Sequence, residues 1–425
     1  MHQRIEHIIQ KPKVSNEKRY LMMIVYVASL IILGLAMDTP KNIIYGLSQI
    51  ITQPDLLITD YIGIGGMGAA FVNSGLLTLI FILILIKLNI PFNGATIASL
   101  FLISGFSFFG KNLFNVWFIV VGVYLYAKVQ KDKFSKYIYV ALFGTAMSPM
   151  VTEIFFNASL SMSARVLLGI FVGLSIGFIL PPLSTYLLRV HQGFNLYNVG
   201  FTAGIIGTVF VSLFKSYGLL PTPQLIWTRE NNYILSLFLF VMFLSMIIIG
   251  FYLNDRSFKG LKNIMDYPGR LVTDFILLEG FPPTLINMGI NGLLATLYIL
   301  LVNGDLNGPT LGGIFTIVGF GAFGKHLKNI LPIFLGVYIG SITKIWSIND
   351  PPILLAALFG TALAPISGEF GWKYGILAGF IHSSVVLNVG VLHGGFNLYN
   401  NGFAAGLVAV ILIPIIQAFR EEDVE

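Results

Sequence analysis

The chain has 425 residues, 56% of them hydrophobic and only 10% charged, with a mean hydropathy of +0.84. A soluble domain carries about 25% charged residues, so this composition excludes a pair of water-soluble domains. The net charge of +6 does not point to nucleic acid, because the basic residues cluster in short segments flanking apolar runs, as cytoplasmic loops do; the lack of cysteine excludes disulfides, thiolate metal sites and cysteine nucleophiles.

In chain order, residues 1–19 read as a polar cytoplasmic segment carrying Arg4, Lys11, Lys13, Lys18 and Arg19, with no cleavable signal pattern. Seven apolar segments follow in the region 20–216: 20–37, 63–87, 91–106, 112–129, 138–156, 164–188 and 193–214. A linker spans 217–232. The region 233–419 holds seven more: 233–253, 284–303, 307–323, 328–345, 352–366, 372–390 and 394–419. Residues 420–425 form a tail, and the polar stretches 38–60 and 254–282 are expected along the membrane surface.

The two regions are copies of one another. Asn93-Gly94 recurs as Asn307-Gly308, and Thr59-Asp60 as Thr273-Asp274. Leu142-Phe143-Gly144-Thr145-Ala146 recurs as Leu358-Phe359-Gly360-Thr361-Ala362. Gly193-Phe194-Asn195-Leu196-Tyr197-Asn198 recurs as Gly395-Phe396-Asn397-Leu398-Tyr399-Asn400. Blocks repeated in one order mark an internal duplication. The basic loops Lys128–Lys136 and Arg256–Arg270 fall on the side of the N-terminus under this segment count. Seven is odd, so the second copy starts on the opposite face, the inverted-repeat plan of many transporters. Segments 91–106 and 352–366 are shorter than the roughly 17 residues of a minimal span. Each is either a half-helix or a re-entrant loop, and a single non-crossing segment per copy would make the repeat parallel instead. The expected fold class is thus all-α, a polytopic transmembrane bundle of two inverted repeats with about 14 membrane segments.

Three constellations point to chemistry. Asn93-Gly94-Ala95-Thr96 and Asn307-Gly308-Pro309-Thr310 each open a short apolar segment, so a helix starts there. Within lipid such a start lines a cavity or is buried by protein and offers N–H donors to an anion or a carbonyl; at the surface it is simply a capped turn. Thr145, Pro149 and Glu153 recur as Thr361, Pro365 and Glu369. A proline frees a carbonyl, and a membrane acid is by default a functional candidate, although both glutamates lie near segment ends, where an interfacial role is equally expected. Asn195, Asn198, Asn397 and Asn400 lie three apart in each copy and share a helix face if helical. His191 and His393 beside them read as structural, and Lys111 and Lys325 as loop charges. No Walker A loop, metal-binding spacing or nucleophile–base pair occurs, so neither catalytic residues, cofactor nor metal is expected.

The Thr59-Asp60-Tyr61 to Gly68-Ala69-Ala70 block with the duplicated Gly-Phe-Asn-Leu-Tyr-Asn resembles an uncharacterised family of prokaryotic multi-pass membrane proteins, which carries no assigned activity. The Asn-Gly blocks more remotely resemble the duplicated segments of urea transporters, inverted-repeat channels in which two half-helices meet at a filter. That likeness implies paired half-helices beginning at Asn93-Gly94 and Asn307-Gly308; it departs in the segment count and in Leu306, where an aromatic is expected. The resulting expectation is a transporter or channel for a small polar solute in a prokaryotic plasma membrane, not an enzyme, with both termini cytoplasmic and lipid and solute as partners; a homo-oligomer is left open. The alternative is a non-transporting subunit of a redox or assembly complex.

Overall fold

The computed structural model describes residues 14–54, 58–157, 161–219 and 224–421; Arg4, Lys11 and Lys13 lie outside them. Among the described residues, ten helices are long and apolar enough to cross a membrane, and four shorter apolar helices accompany them. The protein is a polytopic all-α bundle. Its β structure among the described residues is one parallel pair, β1 (Ile58–Thr59) with β2 (Leu225–Ile226).

The first copy begins with α1 (Asn16–Met37), capped by Ser15, whose hydroxyl accepts from the Lys18 amide. The polar stretch after it holds α2 (Pro40–Thr52), which buries Ile43 and Ile50 and exposes Ile44 and Tyr45. Next come α3 (Tyr61–Lys87), α4 (Gly94–Phe106) and α5 (Trp117–Val129). A stacked run of α6 (Ile138–Gly144), a 3-10 turn and α7 (Ser148–Asn157) leads to α8 (Met162–Val190) and α9 (Asn198–Ser216). In the second copy α10 (Asn232–Leu253) is followed by the short α11 (Leu261–Ile264) and α12 (Phe275–Glu279). Then come α13 (Phe281–Leu301), α14 (Gly308–Phe320) and α15 (Leu327–Thr343). The run α16 (Pro351–Gly360), 3-10 turn and α17 (Ala364–Phe370) precedes α18 (Trp372–Val389) and α19 (Asn400–Glu421). The expected short segment 352–366 is therefore part of a composite span, Pro351–Phe370. Segment 91–106 stays short.

The duplication extends to backbone detail. Gly66 breaks α3 at φ +83°, ψ 164°, and Gly280 separates α12 from α13 at φ +92°, ψ 166°. These positions correspond in the repeat, and both require the positive φ that glycine adopts at little cost.

The copies meet through α4 and α14, each 13 residues long, or about 20 Å, against an apolar core of about 30 Å. Small residues let them approach closely. A methyl group on Gly105 would lie 2.9 Å from the Gly312 carbonyl, and one on Gly319 would lie 3.2 Å from the Ala98 Cα. Gly105 corresponds to Gly319 and Ala98 to Gly312, so each contact repeats the other, and the end of one helix lies against the start of its partner. The pair is antiparallel. The Asn16 side chain, opening α1, accepts from the Phe92 amide just before α4 (2.7 Å). The equivalent Asn232, opening α10, accepts from the Leu306 amide just before α14 (2.6 Å). The beginnings of α1 and α10 thus sit at opposite ends of the α4–α14 pair.

Outside this interface, glycines bring α5 onto α8 and α15 onto α18. A methyl group would lie 2.1 Å from the Ile119 carbonyl at Gly177 and 2.4 Å from the Ile333 carbonyl at the equivalent Gly379. Backbone on backbone leaves no flexible group to yield. Gly177→Ala and Gly379→Ala are expected to destabilise by about 1–3 kcal/mol each, read as a lower thermal midpoint of the detergent-purified protein; an unchanged midpoint would contradict this packing.

Candidate functional site at the interface between the copies

Each short helix starts in the way the Asn-Gly motif demands. The Asn93 Oδ1 accepts from the Thr96 amide at 2.9 Å, and the Thr96 hydroxyl reaches the Pro91 carbonyl (2.8 Å) and the Tyr139 hydroxyl (2.7 Å). Asn307 and Thr310 form a reciprocal capping box: the Thr310 amide donates to Asn307 Oδ1 (3.2 Å) and the Asn307 amide to Thr310 Oγ1 (2.8 Å). The first amide of each short helix is taken by a carboxylate from the opposite copy. Asp274 Oδ2 accepts from the Gly94 amide (2.8 Å), and Asp60 Oδ1 accepts from the Gly308 amide (3.1 Å). Each aspartate also caps its own helix, Asp60 through the Ile62 amide and Asp274 through the Ile276 and Leu277 amides. Thr228 donates to Asp60 from both its amide and its hydroxyl. The Gly94 and Gly308 amides, expected as donors for a solute, are therefore occupied by Asp274 and Asp60, both buried. Glycine is required at both starts, because a methyl group would lie 2.4 Å from the Ala322 carbonyl at Gly94 and 2.3 Å from the Phe108 carbonyl at Gly308.

The far ends of the short helices carry the second feature. Lys111 follows α4, and Lys325, its equivalent, follows α14. Read from sequence as loop charges, both are fully buried, because the chain turns inward here: the Asn73 side chain donates to the Ser107 and Lys111 carbonyls, and Asn287 to those of Gly321 and Lys325. Between the two sites Tyr197 and Tyr399 pack with ring centroids 4.9 Å apart. Phe320 lies 5.0 Å from Tyr197 and Phe106 4.7 Å from Tyr399. Lys325 Nζ donates to the Tyr197 hydroxyl and, at 2.7 Å, to the Thr361 hydroxyl. Lys111 Nζ lies 5.0 Å from the Phe106 ring centre but makes no hydrogen bond among the described residues, and neither does the Tyr399 hydroxyl. The copies match in sequence at this point and differ in bonding.

The other candidates divide clearly. Thr361 and its equivalent Thr145 donate alike to the Leu358 and Leu142 carbonyls, and Thr361 also accepts from Lys325. The four asparagines bond within the bundle. Asn195 donates to the Gly402 carbonyl (2.9 Å) and Asn397 to that of Gly200 (3.0 Å), tying α9 to α19. Asn198 and Asn400 pair with His191 and His393 at 2.9 Å and donate to the Ser184 and Val386 carbonyls. Pro149 and Pro365 sit near the starts of α7 and α17. The glutamates are not brought to the lysines as a pair. Glu153 is buried in α7, whereas Glu369 is exposed at the end of α17, where Gly368 lies against the Pro268 backbone. Sequence reading missed Asp60, Asp274, Tyr197 and Tyr399 as site residues and misplaced Lys111 and Lys325. The available signal was their repetition, since all three pairs recur in the duplicated blocks.

If Asp60 holds the start of α14, Asp60→Ala leaves buried amides without an acceptor and is expected to destabilise by about 1–3 kcal/mol, while Asp60→Asn, which keeps one acceptor oxygen, loses less. Thermal unfolding in detergent reads this; equal midpoints for the two variants would refute the cap.

No curated protein and no solved structure matches the chain, so the likeness to urea transporters gains no support there. One family model does match, over residues 39–216 and 253–418, which is most of the chain and follows the two copies. The chain belongs to the family described as a protein of unknown function (DUF1576).

Proposed function

We propose that this protein is an integral membrane transporter for a small polar solute, with the path along the interface between two copies of opposite topology. The observation that carries this reading is the Lys111, Tyr399, Tyr197, Lys325 cluster at that interface. Charged groups inside a membrane bundle are costly and concentrate on substrate and ion routes, and two lysines kept fully buried at equivalent points are difficult to explain by packing alone.

Opposite topology is supported by the antiparallel α4–α14 pair with α1 and α10 starting at its two ends. It is also supported by charge. The loop holding Lys131, Lys133 and Lys136 lines a cavity of about 600 Å³ with Asn89, Ile90 and Pro91, beside the start of α4. The stretch 254–282 reaches the same end, where Asp274 meets Gly94. Asp132 does not cancel that loop's charge. Hydrogen bonds from Lys136 (2.8 Å) and Tyr137 (2.6 Å) hold its carboxyl below the ordinary value, so it stays ionised against four lysines. Basic loops gathered on the face where α1 starts fit a cytoplasmic side, and we read the protein as a carrier, rather than an enzyme, of a prokaryotic plasma membrane.

Reconstitution in liposomes tests the function. Protein-dependent flux of at least one small polar solute is expected, falling about tenfold or more in Lys325→Met, which loses two charge-assisted bonds. Absence of flux across a panel of sugars, amides, amino acids and small anions would overturn the reading. The chain has no cysteine, so single substitutions report topology cleanly. Asp132→Cys and Lys262→Cys are expected to label with an impermeant maleimide from one side of the membrane, and Asp38→Cys from the other. Labelling of positions 132 and 262 from opposite sides would refute the inverted arrangement.

A further inference from the structure

The two lysine sites are equivalent in sequence and position, and only one is satisfied. Lys325 has the Tyr197 and Thr361 hydroxyls and lies 4.5 Å from the Tyr197 ring centre. Lys111 keeps the contact with Phe106 that Lys325 makes with Phe320, yet its ammonium has no hydrogen-bond partner among the described residues. Tyr399, the counterpart of Tyr197, is also fully buried with its hydroxyl unpaired. A buried charge without a partner is among the costliest arrangements a protein can hold. Lys111 and Tyr399 pack on the same Phe106 ring, and two unpaired donors around one ring, one of them cationic, call for an acceptor with negative charge.

We propose that Lys111 and Tyr399 bind one small monovalent anion, and that Lys325, Tyr197 and Thr361 are the self-satisfied counterpart of that site. This rests on the transport reading and gives its solute a class. One uncompensated cation matches one negative charge. The surroundings set the size: Phe106 packs on Tyr399, and a methyl group on Gly110 would lie only 2.5 Å from Leu398, so the ligand has few atoms. Chloride, nitrate, formate and acetate share this chemistry. A neutral amide is the competing occupant, since Asn73 Oδ1 is also unpaired and would take an N–H.

Equilibrium binding by the full chain, purified in detergent, separates these. Thermal unfolding is measured at constant ionic strength in sodium gluconate, with chloride, nitrate, formate, acetate or urea substituted in. At least one of the four anions is expected to raise the midpoint with saturation, as a ligand of the native state must, and the preferred anion tells inorganic from carboxylate occupancy. Lys111→Met and Tyr399→Phe are expected to weaken that anion by about tenfold or more each, whereas Lys133→Met in the basic loop leaves it unchanged. Tyr399→Phe removes a single oxygen and serves if Lys111→Met does not fold. No saturable shift with any anion, a shift with urea alone, or a shift abolished by Lys133→Met would overturn the proposal. Binding does not depend on flux. Solute flux without Lys111-dependent binding removes this site and leaves transport standing, and binding without flux does the reverse.

Discussion

A helix that starts inside an apolar bundle leaves its first backbone N–H groups without partners, and lipid offers no water to take their place. This constraint governs the centre of the molecule. At each short helix one amide goes to the Asn of the Asn-Gly motif, and another goes to an aspartate of the opposite copy, 180 residues away for Gly94 and 248 for Gly308. Neither copy completes its own short helix. The exchange of Asp60 for Asp274 makes the halves mutually dependent and removes the helix starts as open anion sites, because the anion there is already the protein's own.

The rest of the interface follows from bringing these two helices together. Carboxylates reach across only if the backbones lie close, and glycine at 94, 105, 308, 312 and 319 allows that approach. The crossed carbonyls of Gly200 and Gly402, held by Asn397 and Asn195, fix α9 and α19 in the same way. The Leu196 and Leu398 amides add a further reciprocal pair, on the carbonyls of Ala362 and Ala146. Each bond is modest alone, of about 1 kcal/mol net, but a buried amide or carbonyl left open costs more than its bond is worth. The network therefore specifies one arrangement of the copies more strongly than it adds stability.

Much of this was legible in the sequence. Apolar runs located the helices, the repeated Asn-Gly marked both short-helix starts, and the offset between copies predicted equivalences that the kinks at Gly66 and Gly280 reproduce. What escaped was non-local. Asp60 reads as the N-cap of its own helix, which it is, and nothing near it in the chain announces Gly308. Lys111 looks like a loop charge because it follows Gly110 at a helix end. Its burial depends on Asn73, 38 residues earlier, drawing the loop inward. The asparagines are the opposite case. A polar residue in a membrane segment invites a functional reading, yet here each amide is spent on backbone carbonyls of the bundle.

Sequence symmetry also hides the most informative feature. The Gly-Lys pair, the tyrosine and the threonine are present in both copies, so both lysine sites would be expected to bond alike. They do not, so the duplication breaks in the bonding and not in the residues. Tyr197 and Tyr399 pack against each other where the copies meet, with ring centroids 4.9 Å apart. The Tyr197 hydroxyl meets Lys325, whereas among the described residues the Tyr399 hydroxyl is unpaired and is linked to Lys111 through the Phe106 ring on which both pack. The duplicated sequence thus specifies two sites, and the folded interface completes one of them from its own side chains.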